Sequence, residues 1–423
     1  MAEDLALATE GYQRAVSLLS ECRTPDGFVA SPTDSFNYRR VWARDGSIMS
    51  IAALLTGDHG LIDTAARTLQ TLARGQGPHG EIPSNFDPVS GRISYGGTTG
   101  RVDSDLWFLI ACGEYWSATG DDGFLERLLP TIEKVRFLLG AWEINNRGLI
   151  YVPLTGDWAD EYLHHGYVLY DELLYLQAQR VLSVIHARLH GSVDHALQER
   201  IDRLWHLLRA NYWINPKNQG DPPPEDVYHD VLFEKGREAA SHCAGLHWLP
   251  SFSPSGYGYR FDAFANVLAS LFDIADADQR RRVDAFIADE LVHPNLPLLP
   301  AFHPVIKPVD EDWEHLRIMF SYAFKNEPYE FQNGGLWPML TGFYVADLAK
   351  RGRQDEARRY LSAVHRGNRL EMDGEAWSFP EYIHGRDLTP GGTRHQGWSA
   401  AGAIIGHHAL AGDRAFRIDC GSE

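Results

Sequence analysis

Two short segments set carboxyl groups beside aromatic rings: Gly156-Asp157-Trp158-Ala159-Asp160-Glu161 and Phe379-Pro380-Glu381-Tyr382. A pair of carboxyls can carry out two complementary proton transfers. One, protonated, gives its proton to a leaving oxygen, while the other, ionised, activates water or attacks carbon. An indole beside a carboxyl lowers the local dielectric and raises its pKa toward neutrality, the direction an acid catalyst needs. In the second segment proline restricts the backbone next to the carboxylate. Each segment also has a simpler reading: a surface acidic cluster or a helix N-cap for residues 157–161, and an ordinary loop carboxylate for Glu381.

The company these carboxyls keep suits a sugar. Trp42, Trp158, Trp337, Trp377 and Trp398 all fall next to Asp, Glu, Asn or His in loops. Indole faces cover sugar C–H surfaces while the polar neighbours bind hydroxyls. For each tryptophan taken alone, core packing is as good an account. Arg44 and Asp45 can bracket adjacent hydroxyls with a donor fork and an acceptor, or form a structural ion pair. Asp103, Asn333 and Gln396 can complete such contacts, and His395 can orient Glu381 or simply bond a backbone group. The 19 histidines include His164-His165, His242 and His247. Neither group shows metal-ligand spacing on a clear helix, and paired carboxylates supply both proton steps without a metal, so no cofactor is expected. No G-x-S-x-G elbow or P-loop is present, which removes the main support for an esterase or nucleotide hydrolase.

The elements that must position these residues read as helices. Helical period recurs over Leu5–Leu19, Gly60–Leu72, Leu106–Ser117, Phe124–Leu139, Leu169–Leu189, Val193–Leu208, Phe261–Ile274, Ala277–Glu290, Leu336–Lys350, Gln354–His365 and Gln396–Leu410. Strand-like alternation is confined to short pieces such as Leu149–Pro153. The class is all-α. Long loops intervene at Ser31–Arg44, Gly77–Val102, Thr155–Gly166, Ser241–Arg260, Pro294–Asp312 and Trp377–His395, and loops of this length inside a compact domain usually serve a function. About a dozen helices joined alternately by short turns and long loops predict an (α/α)6 barrel with the loops at one end. No low-complexity linker interrupts the chain, so residues 1–423 read as one domain, with residues 220–226 as a surface loop.

Composition narrows the partners. Acidic groups outnumber basic ones 57 to 39, and a net charge of −18 repels a phosphate backbone, so nucleic acid is excluded as a partner. No long apolar run or basic amphipathic helix argues for a membrane. The acidic start, Met1-Ala2-Glu3-Asp4, lacks a basic region followed by an apolar one and reads as cytoplasmic. Cys22, Cys112, Cys243 and Cys420 form no C-x-x-C pair and read as buried thiols. A small carbohydrate is the expected partner, and a homo-oligomer is left open.

Six motifs, in order, resemble alkaline/neutral invertases. Asn37-Tyr38-Arg39-Arg40-Val41-Trp42-Ala43-Arg44-Asp45 resembles their N-Y-x-x-V-x-x-R-D, and Gly100-Arg101-Val102-Asp103-Ser104-Asp105-Leu106-Trp107 their G-R-V-x-x-V-D-S-x-x-W. Trp158-Ala159-Asp160 is similar to the W-M-x-D and W-M-D acid motifs of invertases and of the related glycogen-debranching glucosidases. Asn333-Gly334-Gly335-Leu336-Trp337-Pro338 resembles N-G-G-x-W-P, Pro380-Glu381-Tyr382 resembles P-E-Y, and Gln396-Gly397-Trp398-Ser399-Ala400-Ala401-Gly402 resembles Q-x-W-S-x-A-G. The resemblance implies an inverting glycoside hydrolase with Asp160 as general acid and Glu381 as general base. For an inverting pair the carboxyls should stand roughly 6.5–9.5 Å apart. The candidate substrate-binding residues are Tyr38, Trp42, Arg44, Asp45, Asp103, Asp157, Trp158, Asn333, Trp337, His395, Gln396 and Trp398, with Asp157 as the alternative acid.

The chain departs from the invertase pattern at Asp160-Glu161, where D-R is usual, and at Tyr162-Leu163-His164-His165. The shorter spacing from Trp158 to the acid matches the debranching type, so the substrate ranges over sucrose-like sugars and other small α-glucosides. Long loops able to close a barrel mouth favour one or two sugar units. Two further readings on the same barrel are an α-1,6-glucosidase of debranching type and a sugar epimerase or isomerase using histidine pairs. A carbohydrate-binding protein without catalysis is a third.

Overall fold

The structure, a computed structural model, describes residues 2–33, 37–217 and 222–418. Its helices are α1 (Ala2–Glu21), α2 (Ala43–Thr56), α3 (His59–Arg74), α4 (Val102–Thr119), α5 (Asp122–Trp142), α6 (Leu169–His190), α7 (His195–Tyr212), α8 (Asp230–His242), α9 (Ala263–Leu271), α10 (Ala277–Phe286), α11 (Trp313–Arg317), α12 (Pro338–Lys350), α13 (Gln354–Asn368) and α14 (Gly397–Ala411). Six of them pack in succession: α2 on α4, α4 on α6, α6 on α9, α9 on α12, α12 on α14, and α14 on α2. Outside this set α3 lies on α2 and α4, α5 on α4, α7 on α6, and α13 with α1 on α14.

Sequence explains the two kinds of helix. The six central helices are buried on nearly every side, as Ile48, Ile51, Ala52 and Ala53 of α2 and Leu340, Phe343, Val345 and Leu348 of α12 show. A helix buried all round has no polar face to give it period. The flanking helices α3, α7 and α13 keep one apolar face and one wet one. Where α12 meets α14 the contact is glycine on glycine: a Cβ at Gly342 would stand 2.2 Å from the carbonyl oxygen of Gly402. Only a residue without Cβ lets the two backbones approach so closely.

The helix starts differ in the same way. Asp58, Asp121, Asp194 and Asp276 cap α3, α5, α7 and α10 by accepting backbone N–H bonds. Five of the six central helices, α2, α4, α6, α12 and α14, begin instead on Trp42, Arg101, Val168, Trp337 and Gln396 with no side-chain cap, while α9 is capped by Asp262. Short antiparallel ladders lead the chain into several of them. β1 (Val41–Trp42) pairs with β2 (Asn85–Phe86) before α2, β4 (Tyr167–Val168) with β5 (Ser251–Ser253) before α6, and β6 (Phe261–Asp262) with β7 (Phe302–His303) before α9. β2 also pairs with β3 (Ile93–Ser94).

The expected helical segments all overlap helices of the structure. Periodicity does not reveal α2, α8 and α11. The loop expected to end at Arg44 runs into α2, which has already begun there, because the run from Ile48 to Leu54 is apolar on all faces. Cys22, Cys112 and Cys243 are buried free thiols, while Cys420 and part of the loop expected at 220–226 lie outside the described residues.

Candidate active site

Segments around residues 37–45, 84–101, 158–161, 321–337 and 381–398 converge on one cavity of about 400 Å³, within the ~300–1,000 Å³ usual for small-molecule sites. Both candidate catalytic carboxyls, Asp160 and Glu381, line it. So do Tyr38, Trp42, Arg44, Asp45, Trp158, Trp337, Gln396 and Trp398 of the expected binding residues. Three of these, Trp42, Trp337 and Gln396, open the central helices α2, α12 and α14, so the positive ends of those helices lie near the cavity and favour anionic groups there.

Glu381 is held from two sides. Tyr38 Oη donates to its Oε1 at 2.5 Å, and the backbone N–H of Thr393 donates to Oε2 at 3.0 Å. Gly392, at φ +73°, leaves room for that carboxylate: a Cβ there would stand 2.4 Å from Oε2. The side chain is 5 % exposed, and burial raises its pKa above the ordinary carboxylate range. The Lys325 ammonium and the two hydrogen bonds pull it back, and the charge of Asp160 pushes it up again. The two carboxyls therefore sense each other across the cavity.

Asp160 and Glu161 stand side by side at a turn that the Tyr162 N–H closes on the Ala159 carbonyl at 3.0 Å. Before it, Asp157 Oδ1 accepts the Ala159 N–H at 2.8 Å. Arg101 ties the turn to the start of α4: its guanidinium donates to the Thr155 carbonyl and, at 2.8 Å, to Asp160 Oδ2. Glu161 lines the same cavity but is more deeply buried. Its Oε1 accepts the Ser321 N–H at 3.3 Å and lies 3.7 Å from Lys325 Nζ, while Oε2 is buried without a hydrogen-bond partner among the described residues.

Beneath the carboxyls lies a tryptophan floor. Trp158 meets Trp337 edge-on at 5.5 Å, Trp337 meets Trp398 at 5.5 Å, and the Arg44 guanidinium sits 5.3 Å over Trp398. Trp158 Nε1, Trp398 Nε1 and both amide atoms of Gln396 are buried with no hydrogen-bond partner among the described residues. Unpaired polar atoms lining one cavity are what a ligand rich in hydroxyls would satisfy.

Other expected residues stand outside the cavity lining. Asp103 accepts from Arg44 at 3.1 Å and from the Tyr170 hydroxyl at 3.3 Å, below the floor. Asp157 is fully buried against His164 at 3.0 Å. Asn333 fastens neighbouring loops together, bonding the N–H and carbonyl of Ile306 and the carbonyl of Asn326. His395 reaches Thr33 at 3.4 Å and Glu375 at 3.6 Å, while Tyr38 and Thr393 take the place beside Glu381. Trp377 gives its indole N–H to Glu10. Among the residues without an assigned role that line the site are Arg101, Glu161 and Lys325. Arg101 stands inside the Gly100–Trp107 motif, Glu161 in the carboxyl-bearing segment 156–161 where it departs from the family, and nothing in the loop around Lys325 marks it.

Comparison with known proteins gives this arrangement relatives. Residues 241–412 match the alkaline and neutral invertase family model. The mitochondrial neutral/alkaline invertase 1 of Oryza sativa subsp. japonica is 25% identical over 444 residues, covering 92% of this chain and 68% of its own. The chloroplastic alkaline/neutral invertase E of Arabidopsis thaliana is 25% identical over 463 residues, covering 95% and 71%. Among solved structures, a wild-type glycosidase superposes with TM-score 0.65 at 16% identity over 97% of this chain and 99% of its own. The mannosylglycerate hydrolase of Thermus thermophilus, with Tris bound, gives 0.63 at 15% identity over 93% and 99%. At such identities the structural match speaks for the fold.

Proposed function

We propose that this chain, an alkaline/neutral invertase-like glycoside hydrolase, cleaves a small glucoside or sucrose-like substrate with inversion. In this reading residues 1–423 form one catalytic (α/α)6 barrel, in which the succession from α2 through α14 and back to α2 is the inner ring. A carboxyl of the Asp160–Glu161 pair, placed at Asp160 by the sequence, protonates the glycosidic oxygen. Glu381 draws a proton from a water that attacks the anomeric carbon from the opposite face. The observation that carries this is the meeting of both carboxyls in one cavity over a floor of three indoles. A cytoplasmic location fits one relative, the cytosolic invertase 1 of rice, and among the described residues no helix is long and apolar enough to cross a membrane.

Substrate identity is tested by product chromatography over a panel of disaccharides and alkyl glucosides. Monosaccharide release from sucrose or small α-glucosides is the expected result. Interconversion of free monosaccharides with no release would replace this reading by an epimerase, and good turnover of glycogen would replace it by a debranching glucosidase.

The electrostatics give a further expectation. Glu381 must be ionised to act as base, so activity falls as pH drops through its pKa. Lys325 holds that pKa down. Removing the ammonium in Lys325→Met should therefore move the acidic limb of the kcat/KM profile to higher pH. A limb that stays in place or moves down contradicts the assignment of Glu381.

A further inference from the structure

Hydrolysis by the carboxyls of this cavity requires one of them to carry a proton in the free enzyme, and the two candidates at the turn are not equivalent. Asp160 Oδ2 is engaged by the Arg101 guanidinium at 2.8 Å, and its side chain is 24% exposed. A guanidinium carries only donors and cannot accept a proton from the oxygen it binds, so this contact suits a carboxylate that stays ionised. Glu161 is 4% exposed, and among the described residues no donor reaches its buried Oε2. Leaving an ionised carboxylate oxygen in that setting is costly, whereas a hydroxyl there can give its proton to a ligand in the cavity.

On the reading that the chain is a hydrolase, we infer that Glu161 is the proton donor and that Asp160, fixed by Arg101, is an ionised carboxylate that accepts a substrate hydroxyl. Glu161 Oε2–H passes its proton to the glycosidic oxygen as the bond from C1 breaks. Water bonds to C1 from the other face and its proton goes to Glu381, and exchange with solvent then restores both carboxyls.

The groups facing Glu161 set its titration. Burial raises its pKa, the Lys325 ammonium lowers it, Asp160 raises it, the Ser321 N–H lowers it, and Glu381 raises it, with a net upward shift. An acid needs that direction.

The test compares two leaving groups. A methyl or sugar leaving oxygen needs a proton, and the fluoride of a glucosyl fluoride leaves without one. Glu161→Gln should lower kcat/KM on the unactivated glucoside by ~10²–10⁴-fold, spare the fluoride within a few-fold, and abolish the alkaline limb of the pH profile. Asp160→Asn should weaken both substrates alike and keep that limb. If Glu161→Gln is poorly folded, Glu161→Asp serves: a slower enzyme with its alkaline limb retained is expected, and loss of the limb overturns the inference. The reverse pattern, with Asp160→Asn sparing only the fluoride, assigns the donor to Asp160 and leaves the hydrolytic reading intact. Equal loss on both substrates in Glu161→Gln also overturns the inference. A wild-type protein that cleaves neither substrate overturns both.

Discussion

Replacing Glu381 with glutamine is expected to lower kcat by ~10²–10⁴-fold while KM changes by no more than a few-fold. The amide keeps the shape of the side chain, and its oxygen can still accept from Tyr38, but it cannot take a proton from water. In the proposed reading binding rests chiefly on the indoles and on cavity-lining groups such as Arg44 and Gln396, which the substitution leaves untouched. The loss should therefore fall on the chemical step. Release of reducing sugar by purified wild type and variant, with thermal unfolding of both as a folding control, measures it. A variant with more than about a tenth of wild-type kcat would remove Glu381 from the base role.

The second large effect is on stability. Arg44 supplies the nearby positive charge for two buried carboxyls, Asp103 at 3.1 Å and Asp45 at 3.7 Å. Burial, with the charges of Glu381 and Asp103, holds Asp45 up at about 6 even though the Arg44 guanidinium and a backbone hydrogen bond pull it down. Arg44→Met keeps the stem over Trp398 and removes the charge. Breaking a buried pair by deleting one partner costs ~3–5 kcal/mol, because the other charge is left uncompensated. The midpoint of urea unfolding near neutral pH should fall accordingly.

The sign of the pH dependence follows from the same groups. With Arg44 gone, the folded-state pKa of Asp45 and Asp103 rises further above the unfolded value, near 3.9 for aspartate. Stability linked to such a raised acid is fully present below the unfolded pKa and is lost as pH rises through the folded one. The penalty should thus be smaller near pH 4 than near pH 7. A cost under about 1 kcal/mol at neutral pH, or one that grows on acidification, would show that the carboxyls do not depend on Arg44.

Much of this site was legible in the chain, for a physical reason. Loops that bring Trp, Asp, Glu and Asn together mark segments 156–161 and 379–382 and the indoles at 158, 337 and 398 as candidates, while the choice of Asp160 and Glu381 rests on the motifs' resemblance to invertases. What stayed hidden was pairing at a distance. Nothing local tells that Arg101 reaches Asp160, that Tyr38 reaches Glu381, or that Lys325 sits beside Glu161, because the fold makes those contacts. Residue type also misled where a polar group serves the scaffold. Asn333 looks like a hydroxyl ligand, yet its side chain is spent on the backbone of the surrounding loops. Among the helices, α3 and α13 announced themselves by one wet face, while α2 has none to show.

The proposed arrangement, an acid on one side of the scissile bond and a base on the other with one water between base and carbon, would fix the stereochemistry of the product. Proton NMR of the first turnover of an α-glucoside reads it directly, before mutarotation mixes the anomers. Single displacement predicts that β-glucose appears first. If α-glucose is the initial product, the bond is broken by double displacement, and Glu381 is not activating water.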